Sequence, residues 1–252
     1  MSERGARLRT QIALHRHLAA RYEARFRPVY GRLYHRFWNR LMLALLGGRP
    51  LGATLDLGCG TGILGPELRA AEPCIGLDLS REMLRLAQGY DGRINGEMNA
   101  LPFAAQSFDT VFARGALHHS ADLPGALREV HRVLKPGGML IAAEPREDFW
   151  LAQVARRALY RLSGDFDPRD YRFQERELDA LLGRARLRLL ATQGYGYAAY
   201  TLAGFPDKFD PLCRVPGAEF LVRALIRLDS CIARVPGLER IGLGILFAAE
   251  AL

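Results

Sequence analysis

Between Ala53 and Pro145, short apolar segments alternate with segments of helical periodicity, and this alternation limits the possible folds more than any other feature. The apolar segments ATLDLG, CIGLDLS, INGEM, FDTVFARG and MLIAAEP have the length of buried strands, and the first helix is expected at residues 63–71. Further on, RLRLLATQGYGY predicts a sixth strand, and IGLGILFAAEAL predicts a last strand antiparallel beside it. Such alternation is typical of a parallel sheet covered on both faces.

The positive charge of the chain is concentrated at one end. The 252 residues carry a formal net charge of +8, and residues 1–50 alone hold eleven arginines against Glu3 and Glu23. Apolar residues recur there at helical spacing, so the arginines fill the other side of an amphipathic arm. Such an arm is suited to an anionic partner, either a membrane surface or a nucleic acid.

No segment predicts secretion, membrane insertion or a metal site. The first residues are charged rather than apolar, unlike a signal peptide. The longest apolar stretches, Leu41 to Leu46 and Ile241 to Ala249, are too short to span a bilayer. The four cysteines show no paired metal-ligand spacing. We therefore expect a cytoplasmic protein that binds no metal and has free thiols. Peripheral contact with a membrane is compatible with this expectation.

The stretch LDLGCGTG, from Leu55 to Gly62, carries an apolar strand into an aspartate and three glycines. In an open parallel sheet, ligands bind beyond the carboxyl ends of the strands, where such a bare backbone exposes its N–H groups. Asp78 ends the predicted second strand, where a carboxylate can accept hydrogen bonds from ribose hydroxyls. Glu97 ends the predicted third strand, where it can accept from an exocyclic amine. Together these positions predict a site for an adenosine-containing ligand.

In this order and spacing, LDLGCGTG, IGLDLS, GEMNALPF, SFDTVFARGALHH and REVHRVLKPGGMLIAAEP resemble the class I S-adenosylmethionine-dependent methyltransferases, most of all the subgroup with quinone, lipid and natural-product methyltransferases. The resemblance covers residues 51–145. It implies an α/β fold: a Rossmann-like, seven-stranded, mostly parallel sheet with helices on both faces. Residues 1–50 would form an N-terminal helical lid. Residues 51–252 would form the methyltransferase domain, with substrate-side helices and an insertion at 146–240.

The resemblance also implies S-adenosylmethionine as the cofactor and S-adenosylhomocysteine as its product. Gly58 and Gly60 would hold the methionine part, oriented by Asp56. Asp78 would hold the ribose, and Leu79 with Met83 would cover one face of the adenine. The full set of cofactor-binding residues implied in this way is Asp56, Gly58, Cys59, Gly60, Asp78, Leu79, Met83, Glu97, Met98 and Ala113.

A hydroxyl acceptor requires a general base, whereas an amine that binds in its neutral form does not. His118 and His119 are the candidate bases, and both also fit structural polar residues packed at the sheet edge. No residue at the end of the fourth strand matches the aspartate of metal-dependent catechol methyltransferases, so no metal is implied. The residues expected to contact the substrate are Tyr22, Tyr30, Tyr34, Arg114 and Glu144.

The sequence leaves three functions open. The favoured one is methyl transfer to a small, lipophilic acceptor at oxygen, carbon or nitrogen: a quinone, a lipid or a secondary metabolite. The second is an RNA methyltransferase that uses the basic arm on phosphates, although the Asn/Asp-Pro-Pro-aromatic clamp of nucleobase amino methyltransferases is missing. The third is a non-catalytic partner protein that only binds S-adenosylmethionine.

Overall fold

The computed structural model describes residues 29–148, 150, 153–154, 171, 173–203, 216–238 and 241–252. The strands are β1 (Thr54–Leu57), β2 (Cys74–Asp78), β3 (Gly92–Asn95), β4 (Phe108–Arg114), β5 (Leu134–Pro145), β6 (Leu187–Tyr195) and β7 (Gly244–Ala251). The helices are α1 (Val29–Ala44), α2 (Arg81–Leu86), α3 (Leu123–Val133), α4 (Glu175–Gly183), α5 (Ala198–Ala203) and α6 (Ala218–Ile232). Two short 3-10 turns lie at Gly65–Glu67 and Leu117–His119.

The seven strands form one sheet in the order β3-β2-β1-β4-β5-β7-β6. Strands β1 to β5 pair in parallel, and β7 is antiparallel to both β5 and β6. The strand order reverses between β1 and β4, so ligands are expected at the carboxyl ends of these two strands. The prediction of a seven-stranded, mostly parallel sheet is confirmed, including an antiparallel last strand beside the sixth.

Each face of the sheet carries its own apolar core. On one face, residues of α3 and α4 pack with every second residue of the strands, among them Leu55, Leu57, Val111 and Ala113. On the other face, α1 packs with the alternate residues, among them Phe112, Ile141 and Leu246. Because side chains alternate along a strand, Asp56, between two leucines of the first core, points to the face that α1 covers.

Helix α1 is amphipathic with a period that suits one buried face. Tyr34, Trp38 and Met42 recur every four residues and are buried against the sheet, while Arg36 and Arg40 are exposed. Beyond the helix, the Arg49 guanidinium pairs with Glu250 of β7 at 3.0 Å. This part of the expected lid therefore belongs to the core of the sheet. The rest of the arm, residues 1–28, lies outside the described residues.

The prediction of a helix at residues 63–71 is wrong, since the structure has only the 3-10 turn Gly65–Glu67 there. Leu64, Leu68 and Ala71 are buried, and they recur at helical spacing. The backbone, however, runs against the loop after α2: a Cβ on Gly65 would lie 2.3 Å from the carbonyl oxygen of Gln88. The close contact between these two backbones determines the local conformation. The spacing of apolar residues in the sequence gives no indication of such a contact.

The third strand ends earlier than expected. Strand β3 stops at Asn95, and Glu97 lies two residues beyond it in an isolated bridge with Ala100. The chain turns back on itself at this point instead of extending the sheet. Among the residues that the structure describes, no helix is long and apolar enough to cross a membrane.

Candidate functional site

The loop after β1 is rich in glycine, so its backbone has few side chains to cover it. One part of this backbone is packed against protein and another part is accessible. Gly58, Gly60 and Gly62 have φ values of 71°, 54° and 83°, which glycine adopts without strain. A Cβ on Gly58 would lie 2.5 Å from the Cβ of Ala116, whereas a Cβ on Gly60 would meet nothing within 4 Å. The loop thus packs tightly at Gly58 and leaves open space at Gly60, where a ligand can approach the backbone.

The Asp78 carboxylate is held beside this loop. Its Oδ2 accepts a hydrogen bond from the Gly60 N–H at 2.9 Å, and its Oδ1 accepts from the Ser80 N–H at 2.8 Å. Asn95, which the sequence analysis missed, donates to the carbonyl oxygens of Asp78 and Leu79 at 3.1 and 2.8 Å. Each carboxylate oxygen retains a lone pair, because a carboxylate has about four acceptor positions. The half-buried Asp78 can therefore still accept from a ligand.

Asp56 lies beneath the loop and is buried, with 1 % of its surface exposed. Tyr90 donates a hydrogen bond to its Oδ2 at 2.5 Å, and its Oδ1 is buried with no partner. Burial raises the pKa of Asp56 to about 6, although the Tyr90 hydrogen bond and the Arg114 charge act in the opposite direction. Tyr90 was also missed, because a tyrosine after a glycine gives no pattern that places it under a loop 30 residues away.

The remaining residues expected at the cofactor differ in exposure. Leu79, Glu97 and Met98 are half-buried, and Met98 packs against the core below. Cys59, Met83 and Ala113 are buried. Burial raises the pKa of the Cys59 thiol far above its usual range, so the thiol stays protonated. The structure thus joins Asp78 to the loop by hydrogen bonds, while Met83 and Ala113 are covered by protein.

The two candidate bases stand at the turn after β4. His118 Nδ1 lies 2.7 Å from Oε2 of Glu144, a fully buried carboxylate at the end of β5. Oε1 of Glu144 accepts hydrogen bonds from the backbone N–H groups of Ala116 and Leu117 at 3.1 and 2.9 Å. The ring of His119 is centred 3.8 Å from that of His118. With Glu144 ionised and the His118 ring neutral, Nδ1 donates this hydrogen bond and Nε2 is left as an acceptor.

Arg114, the last residue of β4, reaches under α1. Its Nη2 lies 2.5 Å from Nδ1 of His35, and its guanidinium carbon lies 4.1 Å from the centre of the Trp38 ring. Burial lowers the pKa of Arg114. Tyr34 is buried in the same aromatic cluster. Tyr30 belongs to α1, and Tyr22 lies outside the described residues. Of the residues expected to contact the substrate, Arg114 and Glu144 therefore lie at the carboxyl ends of β4 and β5. Their side chains point to different faces of the sheet.

These residues fit S-adenosylmethionine as a ligand. The open space at Gly60 admits the ligand to the loop backbone, and the Asp78 carboxylate beside it has lone pairs for ribose hydroxyls. The unpartnered Oδ1 of Asp56 is a buried acceptor that the protein leaves unsatisfied, which is costly unless a ligand donates to it.

Comparison with known proteins gives consistent results. Residues 55–142 match the family model described as a methyltransferase domain. The demethylmenaquinone methyltransferase of Mycobacterium sp. (strain KMS) is 31% identical over 185 residues, which cover 73% of this chain and 74% of that protein. The malonyl-[acyl-carrier protein] O-methyltransferase of Erwinia pyrifoliae is 34% identical over 173 residues, covering 65% and 60% of the two chains.

A solved structure supports the fold. An SAM-dependent methyltransferase of Thermotoga maritima superposes with a TM-score of 0.65 at 19% identity, covering 96% of this chain and 99% of that one. The chain belongs to the class I S-adenosylmethionine-dependent methyltransferases, and S-adenosylmethionine is its cofactor.

Proposed function

We propose that this methyltransferase transfers a methyl group to a small, lipophilic acceptor at oxygen, carbon or nitrogen, such as a quinone, a lipid or a secondary metabolite. One observation carries the proposal. The similarity to the demethylmenaquinone methyltransferase extends over 185 residues, whereas the methyltransferase domain model matches only 55–142. The similarity therefore continues outside the methyltransferase domain model, and the acceptor named for that relative is a quinone. The second relative is named for a malonyl group carried on acyl-carrier protein, so its acceptor is not a nucleic acid either.

The cofactor would be held by the residues expected from the sequence: the Gly58–Gly60 backbone, Asp56, Asp78 and, around the adenine, Leu79 and Glu97. The bound cofactor supplies an electrophilic methyl group. The protein has to bind it, orient it and exclude water, because holding the two reactants in line lowers the barrier of such a displacement. The role of Tyr90 would be to fix the Asp56 carboxylate by its hydrogen bond.

For a hydroxyl acceptor, His118 would be the general base. Its Nε2 is the free acceptor nitrogen because Nδ1 donates to Glu144. Glu144 would be a positioning residue, since it orients His118 and ties the turn after β4 to the end of β5. His119, whose ring lies beside that of His118, is the second candidate for the base.

Contact with an anionic membrane surface would bring the enzyme to a lipophilic acceptor. Helix α6 carries a stripe of exposed apolar side chains, with Phe220 77%, Leu221 47% and Leu228 48% exposed. Arg223, Arg227 and Arg234 lie exposed along the same helix and the turn after it. Apolar residues flanked by arginines are typical of helices that lie in a membrane interface.

The test is to follow the labelled methyl group. The purified protein is incubated with methyl-labelled S-adenosylmethionine and separate fractions of its own cells: organic-solvent extract, total RNA and soluble protein. We expect label in the organic extract. Label in RNA would instead support the basic arm as an RNA-binding element. S-Adenosylhomocysteine binding with no transfer to any fraction would support the non-catalytic partner protein. Either result would contradict the proposed acceptor.

A further inference from the structure

The 3-10 turn Leu117–His119, which we call the histidine turn, is held by other elements at both of its ends. At its start, Glu144 of β5 accepts hydrogen bonds from two backbone N–H groups, as described above. At its end, the buried Ser120 donates from its hydroxyl to Oδ1 of Asn99 at 3.1 Å. The hydrogen bonds within a 3-10 turn have poor geometry, so the position of the turn depends on the groups that hold its ends. One of these groups, Asn99, belongs to the loop after β3.

Asn99 binds the chain after the histidines with both of its polar atoms. While its Oδ1 accepts from Ser120, its Nδ2 donates to the carbonyl oxygen of Asp122 at 2.6 Å. A carbonyl oxygen only accepts, so the atom of Asn99 that faces it is the nitrogen. The N–H of Asp122 donates in turn to the Ser120 hydroxyl at 3.2 Å. The three residues thus form a closed ring of hydrogen bonds directly after His119.

The same asparagine lies beside the expected adenine contact. Residues 97–100 form a tight turn, in which the N–H of Ala100 donates to the carbonyl oxygen of Glu97 at 3.1 Å. The two residues also form an isolated β-bridge. In the proposed cofactor site, Glu97 contacts the adenine. Because the turn is so short, a ligand that fixes Glu97 also fixes Asn99.

The histidine turn also contacts the segment expected on the substrate side. The N–H of Tyr171 donates to the carbonyl oxygen of His118 at 2.9 Å. Tyr171 belongs to residues 146–240, which are expected to contact the acceptor. Three parts of the molecule therefore meet at this turn: the sheet through Glu144, the adenine side through Asn99 and the acceptor side through Tyr171. Strand β5 lies inside the sheet, whereas loops at ligand sites are the parts that respond to binding.

We propose that Asn99 is a positioning residue that couples occupation of the adenosine site to the placement of His118. A ligand on Glu97 fixes the turn that contains Asn99. Asn99 then fixes the end of the histidine turn through its hydrogen bond with Ser120. The ring of His118 is thereby in place for the acceptor only after the cofactor has bound. The inference rests on the proposed function, in which Glu97 contacts the adenine and His118 is the base for a hydroxyl acceptor.

The experiment follows the imidazole ring of His118 by NMR, on the full chain with isotope-labelled histidines. The His118 signal is identified by its loss in His118→Asn. The ligand is 5′-methylthioadenosine, which contains the adenosine but no amino-acid end, and it is added to saturation. In the native protein, we expect this ligand to shift the His118 signal. In Asn99→Ala, the shift at saturation should be at least twofold smaller, because the attachment of the histidine turn through Ser120 is lost.

Two further variants separate this link from a general loosening of the loop. Ser120→Ala removes the other partner and should reduce the shift as much as Asn99→Ala, and the double variant should reduce it no further. Glu129→Ala is the matched control. Oε2 of Glu129 accepts from the N–H of Leu101 at 2.8 Å, directly after the turn 97–100, and anchors the same loop to α3 instead of the histidine turn. This variant should keep the native shift at saturation.

Three outcomes would overturn the coupling. Bound methylthioadenosine could leave the His118 signal of the native protein unmoved. Asn99→Ala could show the full native shift, or Glu129→Ala could lose as much of it, in which case Asn99 only supports the loop. These results are independent of where the methyl group goes. Full turnover of a hydroxyl acceptor by His118→Asn would overturn the proposed base and leave the shifts unaffected, whereas a native protein that binds no methylthioadenosine overturns the cofactor site itself.

Discussion

At the scale of single residues, the site is built from pairs in which one side chain fixes another group by a hydrogen bond. Glu144 holds His118, Tyr90 holds Asp56, and Asp78 holds the Gly60 N–H. Each pair joins the ends of neighbouring strands or the loops that follow them. A substitution of the supporting partner should therefore alter the function of the other without removing it.

The first prediction concerns the pair of His118 and Glu144. With a hydroxyl acceptor, His118→Asn should lower kcat at least a hundredfold, because proton transfer is lost. Glu144→Gln should lower kcat less and change the pH–rate profile, since the ring keeps its place but loses its carboxylate partner. Cofactor binding by calorimetry should be unaltered in His118→Asn. His119→Asn is the matched variant on the neighbouring ring, and a larger loss there would transfer the role to His119.

The second prediction uses the ionisation of Asp56, whose pKa burial raises to about 6. Below that pH the free protein carries a neutral carboxyl group, which attracts an ammonium group only weakly. S-Adenosylhomocysteine affinity should therefore rise about tenfold as the pH increases from 5 to 7. Methylthioadenosine, which has no ammonium group, should show no such rise. In Asp56→Asn the rise for S-adenosylhomocysteine should disappear. A native protein with equal affinity at both pH values would contradict this role.

At the scale of the elements, most strands and helices could be predicted because their apolar periodicity is what the core requires. The strand β7 is an example: it was expected from its apolar pattern and is buried along almost its whole length. The prediction of a helix at 63–71 was wrong because Gly65 lies against the backbone of Gln88. No local sequence pattern indicates such a contact. The same holds for the site. Motifs indicated Asp78 and His118, but Trp38 and Tyr90 reach it only through tertiary packing.

Helix α5 depends on a cap from another helix, which gives the third prediction. The Asp229 carboxylate of α6 is buried and accepts from the backbone N–H groups of Ala198 and Ala199, at 2.8 and 3.2 Å to its Oδ1. Asp229→Ala leaves these N–H groups without an acceptor and should lower the free energy of unfolding by about 1–2 kcal/mol. Asp229→Asn keeps an acceptor oxygen and should cost less.

Urea denaturation at neutral pH measures both changes. Asp179→Ala, at an exposed position of α4, is the control and should stay within about 0.5 kcal/mol of the native protein. If Asp229→Ala were as stable as this control, the cap would not hold α5 in place.

At the scale of the whole molecule, charge and exposed apolar surface bear on where the enzyme works. The fourth prediction is that the protein sediments with vesicles containing anionic lipid and much less with neutral ones. Replacing Phe220 and Leu228 by serine should reduce the bound fraction at least threefold without lowering the melting temperature, since both side chains are exposed. Leu190→Ser, an exposed apolar residue of β6, should change nothing. Equal sedimentation of all three proteins would rule out α6 as the contact.

The position of β7 bears on how the protein is made in the cell. Strand β6 pairs with β7 and not with β5, so β7 is inserted between two strands that are synthesised before it. Residues 55–144, which hold the cofactor loop and both histidines, leave the ribosome well before residues 244–251. During that interval the edge of β5 has no neighbour, and at 5–20 residues per second the wait lasts roughly 5–20 s. Translation speed and chaperone cover of that edge should therefore govern the yield of active enzyme more than they govern the folding of the cofactor-binding half.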